Sequence, residues 1–113
     1  MKFYDQNGAA KAYLDEDGET IYAWGGKPLA YLDGENIYSF EGKHLGWFED
    51  GWVIDHDGGH SYFTDGAADG PFKPFKQFEN VKGFKEFLPF KGFQEFVPFK
   101  PFRSAGWGKN LFG

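Results

Sequence analysis

Two hydrophobic rhythms meet near residue 70. Over residues 1–70, short alternating runs of aromatic and β-branched residues are broken by glycine-containing turns about every eight residues, the pattern of short, half-buried strands. Ile21–Leu32 realigns on Ile37–Phe48 and again on Val53–Thr64 at steps of sixteen residues, and on Phe3–Leu14 at a step of eighteen. Four copies, near 3–14, 21–32, 37–48 and 53–64, each read as a β-hairpin, which gives eight short strands. Asn7-Gly8, Gly25-Gly26, Glu41-Gly42 and Asp57-Gly58 turn the chain inside each copy; Asp17-Gly18, Asp33-Gly34, Asp50-Gly51 and Asp65-Gly66 turn it after each copy. Asn-Gly and Asp-Gly in the first set predict tight turns with positive φ at both residues.

Alternation assigns faces. Tyr4, Tyr22, Tyr38 and Ile54 share one side of the first arms with Trp24 and Phe40, and Phe3, Ile21, Ile37 and Val53 share the other. On the second arms Tyr13, Tyr31, Trp47 and Phe63 lie together, opposite Ala12, Ala30 and Gly46, with Tyr62 breaking the pattern. A large position beside a small one, four times over, predicts equivalent hairpins packed around a pseudo-fourfold axis, since no single hairpin is stable alone.

From residue 71 the rhythm changes to one apolar residue in three: Phe72, Phe75, Phe78, Val81, Phe84, Phe87, Phe90, Phe93, Phe96, Phe99 and Phe102. The units GFKEFLPFK and GFQEFVPFK repeat at nine residues. Period three suits neither α-helix nor strand, and Pro and Gly oppose a long 3₁₀ helix. Polyproline II has three residues per turn and admits both, so an extended polyproline-II-like segment over 71–103 is expected, roughly 100 Å long if straight, with bends at Gly83 and Gly92. A phenylalanine stripe of that size calls for burial, either on the hairpins or against copies of the chain. Residues 104–113 form a tail in which Trp107 is a candidate docking anchor. The organisation is therefore an all-β hairpin domain (1–70), the Phe-triplet segment (71–103) and the tail (104–113).

The repeats together with the PFK-like triplets of Pro71–Arg103 resemble the four-fold beta-flower family, small bacterial proteins without an assigned activity. The resemblance covers nearly the whole chain. It implies a fold and no catalytic residues.

Charge sharpens the division. Residues 1–70 carry four lysines against fourteen acids, whereas residues 71–113 carry eight basic residues against three acids. The halves are expected to attract each other, within the chain or between subunits. With no cysteine there is no disulfide and no thiolate chemistry. No apolar run is long enough for a membrane-spanning helix and no signal-peptide pattern opens the chain, so a cytoplasmic protein is expected.

Candidate chemistry is sparse. Asp55, His56, Asp57 and His60 carry divalent-metal ligand types, with His56 and His60 flanking one hairpin turn where they could face each other; the same positions in other repeats serve the turn, so no metal is expected. Ser61 follows His60, and neighbours on a strand point to opposite faces, so the two do not form a nucleophile–base pair. Gly25-Gly26-Lys27 lacks the helix that a phosphate loop requires. The expectation is a non-catalytic structural or interaction module without cofactor, self-assembling into a homo-oligomer through the Phe-triplet segment. The aromatic repeat positions are Tyr22, Trp24, Tyr31, Tyr38, Phe40 and Trp47, and the alternative is a binding module: either an aromatic box of the repeats' tyrosines and tryptophans for a cationic small molecule, or an anionic polymer on the Phe/Lys strip. Net acidity, −5, speaks against nucleic acid.

Overall fold

In the computed structural model, which describes residues 1–113, the eight strands are β1 (Lys2–Tyr4), β2 (Ala10–Leu14), β3 (Thr20–Ala23), β4 (Pro28–Asp33), β5 (Asn36–Tyr38), β6 (His44–Glu49), β7 (Trp52–Ile54) and β8 (His60–Phe63). Each pairs antiparallel with the next, and β8 returns to β1, so the sheet closes into a barrel. Every hairpin carries the same irregularity, a register shift opposite Phe3/Tyr4, Ile21/Tyr22, Ile37/Tyr38 and Val53/Ile54, where the second arm holds one extra residue: Lys11, Leu29, Leu45 or Ser61. Such bulges sharpen strand twist and bend, which suits arms this short in a closed sheet.

Register explains the large–small alternation. Across the four hairpins Phe3 faces Ala12, Ile21 faces Ala30, Ile37 faces Gly46 and Val53 faces Tyr62. The apolar members of these pairs form one core, closed to solvent, to which Phe112 of the tail is added. An eight-stranded barrel has an interior just wide enough to be filled by side chains, so a second large residue opposite each first-arm residue would not fit. Tyr62 takes that place once, stacking on Phe112 at 4.5 Å.

The other face is also apolar. Between hairpins the register pairs Tyr13 with Tyr22, Tyr31 with Tyr38, Trp47 with Ile54, and Tyr4 with Phe63. The three ring–ring pairs stack at 5.3 to 5.9 Å, so each junction between repeats is cemented by cross-strand side chains.

The turns depart from the sequence expectation. Within each hairpin the N–H of Gly8, Gly26, Gly42 or Gly58 donates to the carbonyl three residues earlier, and among turn residues only that glycine has positive φ. These are three-residue loops with a left-handed glycine. The doubly left-handed turn lies instead at Asp50-Gly51, with φ of 52° and 81°, where Glu49 and Trp52 are directly paired and only two residues remain to reverse the chain.

The sheet closes unevenly. Each inter-hairpin junction has three register pairs except β8–β1, which has one. The tail completes this seam. The His60 N–H donates to the Gly106 carbonyl, the Gly108 N–H donates to the His60 carbonyl, and Trp107 packs on Trp52 and Phe63. Trp107, the candidate docking anchor, lies at this seam.

Candidate interaction surface

Residues 71–103 form neither helix nor strand; they run around the barrel as a strap. The N–H groups of Gln77, Glu86, Glu95 and Ser104 donate to the carbonyls of Gly8, Gly26, Gly42 and Gly58 at 2.8 to 2.9 Å. Nine strap residues thus correspond to one hairpin, in chain order, through all four repeats. Gly83 and Gly92 donate further to Trp24 and Phe40; Pro74 and Pro101, at the equivalent positions, have no N–H to give. Arg103 reaches the Asp69 carbonyl, so the end of the strap meets its beginning.

The approach is close enough to dictate glycine. A Cβ on Gly8, Gly26, Gly42 or Gly58 would land on the carbonyl oxygen of Phe75, Phe84, Phe93 or Phe102. Gly83 and Gly92 are not the bends that the sequence suggested. They lie against the backbone of Gly25 and Glu41, and neither has positive φ.

Period three sorts strap residues onto three edges. Residues preceding each phenylalanine carry the backbone contacts to the turns. Residues following it reach back over the barrel wall, where Lys76 pairs with Asp65, Lys85 with Asp15, Lys91 with Glu19, Lys100 with Glu35 and Glu49, and Arg103 with Asp50. Lys73 donates to the Ala67 carbonyl, and Lys82 sits 4.3 Å from the centre of the Tyr13 ring. Farther on, Lys109 pairs with Asp57. Every basic residue of the second half therefore has a partner in the first. Hydrogen bonds to Lys85 and Lys76 hold Asp15 and Asp65 below their ordinary titration range, and bonds from Lys2 and Tyr4 do the same for Glu79.

The third edge carries the phenylalanines, and here the burial expectation is corrected for the single chain. Phe72, Phe75, Phe78, Phe84, Phe87, Phe90, Phe93, Phe96, Phe99 and Phe102 are 92–102% exposed, and Val81 94%. None packs on the hairpins, because the two other edges are committed to the turns and to the acidic wall.

The six aromatic repeat positions do not form one open box: Tyr31, Tyr38 and Phe40 pack into a single buried cluster, and the others lie elsewhere on the barrel. Tyr22, Tyr31, Tyr38, Phe40 and Trp47 are buried, and Trp24 donates its indole N–H to the Asn80 carbonyl. Lys82, Lys85 and Lys91 of the strap lie over Tyr13, Tyr22 and Tyr31, so the chain's own ammonium groups occupy these cation-binding faces. Glu79, Gln94 and the Glu95 carbonyl meet the hydroxyls of Tyr4, Tyr31 and Tyr38.

The metal-ligand types do not converge. Asp55 Oδ1 accepts from the Asp57 and Gly59 N–H groups, and its Oδ2 accepts from Lys109. His56 does not face His60. It bonds His44 at 2.9 Å beside Trp47, a pairing across repeats that spacing within one hairpin gave no means of finding. His60 bonds the Gly106 carbonyl through Nδ1. Burial lowers the pKa of both His44 and His60, and His56 lowers that of His44 further. Ser61 Oγ is buried without a partner at a polar cleft of about 270 Å³, lined also by Asp5, Lys11 and Asn110.

No helix is long and apolar enough to cross a membrane. A family model described as 4-fold beta flower protein matches residues 1–113, and the chain belongs to that family. Neither the curated proteins nor the solved structures contain a match.

Proposed function

Starting from membership in the 4-fold beta flower family, we propose that this protein is a non-catalytic structural or interaction module that self-assembles through its Phe-triplet strap. One observation carries the reading: ten phenylalanines stand clear of their own barrel on a single edge. At about 150–250 Å² each they present roughly 1,500–2,500 Å² of aromatic surface. The largest apolar patch of an ordinary monomer is about 300–600 Å², and a stable protein interface takes about 800 Å² from each partner. Water is therefore an unfavourable covering for this edge.

The same reading gives the strap a polyproline-II conformation and the hairpins a fourfold arrangement. A 33-residue polyproline-II strand spans about 100 Å. The molecule measures 37 × 36 × 20 Å, a disc whose perimeter is roughly 115 Å, and three residues per turn accounts for the three edges. The pairing of strap cations with barrel acids supports a homotypic partner over an anionic polymer, since an anion would have to displace those carboxylates. A cytoplasmic setting and the absence of catalysis belong to this reading too.

The test is light scattering after size-exclusion chromatography of the full chain. Wild type should elute as a defined oligomer. Phe84→Asp with Phe93→Asp should yield a folded, smaller species, because both side chains leave the barrel untouched. A double variant with unchanged mass would refute assembly through the strap.

A further inference from the structure

We infer that a second copy of this chain covers the strap by meshing, its phenylalanine rings entering the gaps between successive rings of the first. The inference rests on self-assembly and adds the form that the contact takes.

Spacing carries it. No strap phenylalanine stacks on another ring of its own chain, and each is almost wholly exposed, so every ring is flanked by open space. Three residues of an extended strap advance about 9 Å. A ring placed midway between two others then lies about 4.5 Å from each, at the near limit of the 4.5–7 Å at which aromatic rings attract in offset-stacked or edge-to-face geometry. A gap of that width is too narrow for two rings and fits one. The partner that can supply such rings at matching intervals is a strap with the same triplet period, and this chain carries one from Phe72 to Phe102. Val81 interrupts the row once.

Charge favours the same occupant. The strap's seven basic residues are directed back at the barrel, so the phenylalanine edge presents no array of free cations to nucleic acid or to anionic lipid headgroups. The chain's charge of −5 adds repulsion from either. Contact between two phenylalanine edges involves none of these ion pairs.

The experiment compares the full-length wild type with a variant in which Phe84, Phe87, Phe90, Phe93, Phe96 and Phe99 are all leucine, which keeps the edge apolar and removes the rings. Sedimentation equilibrium gives the association constants, circular dichroism confirms the barrel, and NMR of mixed ¹³C-labelled and unlabelled wild type detects ring-to-ring contacts between copies. The meshed contact requires intermolecular Phe–Phe cross-peaks and at least a tenfold weaker association of the leucine variant. If wild type associates but the leucine chain associates equally well, or no intermolecular ring contact is seen, meshing is overturned while self-assembly stands. If wild type stays monomeric at 100 μM, both fall, and binding of that monomer to uncharged phosphatidylcholine vesicles would identify lipid as the occupant.

Discussion

Gly26 and Gly42 each meet two demands that only glycine satisfies: φ near +100° and a strap carbonyl where a Cβ would stand. Gly26→Ala should therefore cost on the order of 2–3 kcal/mol, from left-handed strain and displacement of the strap. Gly18→Ala, where φ is +72° but space is open, isolates the strain alone and should cost less; urea denaturation of the two variants separates the contributions. Asp55 is the other demanding residue, since its carboxylate accepts three backbone N–H groups at the closing turn and tail. Asp55→Ala should destabilise by about 3 kcal/mol because buried donors are orphaned, and added Zn²⁺ should not restore the loss. The glycines were legible as turn markers from their spacing. Their second duty was not, because the strap that touches them lies 44 residues or more further along the chain.

Strands and faces were readable because alternation and turn chemistry are local: all eight strands, the Phe3/Ala12-type inner face and the Tyr13/Tyr22-type junctions follow from period two. The strap was harder. Period three grouped its residues, but which group faces inward depends on the Gly8-type carbonyls and the acids of the barrel. Polar contact here outweighs apolar burial, since the barrel's own wall is already filled by stacked tyrosines and covered by lysines. Phe112 likewise gave no signal as an isolated residue near the C-terminus, although it plugs the core. An element tied down by exposed ion pairs and single backbone bonds should loosen in salt, which screens exposed charges. Amide exchange at Gln77, Glu86, Glu95 and Ser104 should accelerate in 1 M NaCl, while the amides of β3 to β6 hold. Equal protection at both salt concentrations would show that the ion pairs do not hold the strap.

For the whole molecule, acid should act in two stages. His44 and His60 have pKa values depressed below the ordinary 6.5 by burial, so the unfolded chain takes up protons first and stability falls as pH drops below about 6.5. Asp15 and Asp65, depressed from 3.8, and Glu79, depressed from 4.5, contribute stability that is present above those values and lost below them. Urea midpoints should decline from pH 7.5 to 5.5, then again below pH 4.5, and His44→Gln should flatten the first decline. A full-length chain equally stable at pH 5 and 7.5 would contradict the histidine assignment. Finally, the pairing of nine strap residues with each hairpin makes the two halves of the gene count each other. A variant that gains or loses one hairpin stays closed only if its strap changes by nine residues in the same direction. The repeat number is thus written twice in this chain, once in β-structure and once in phenylalanines, and lineages in which it varies should change both together.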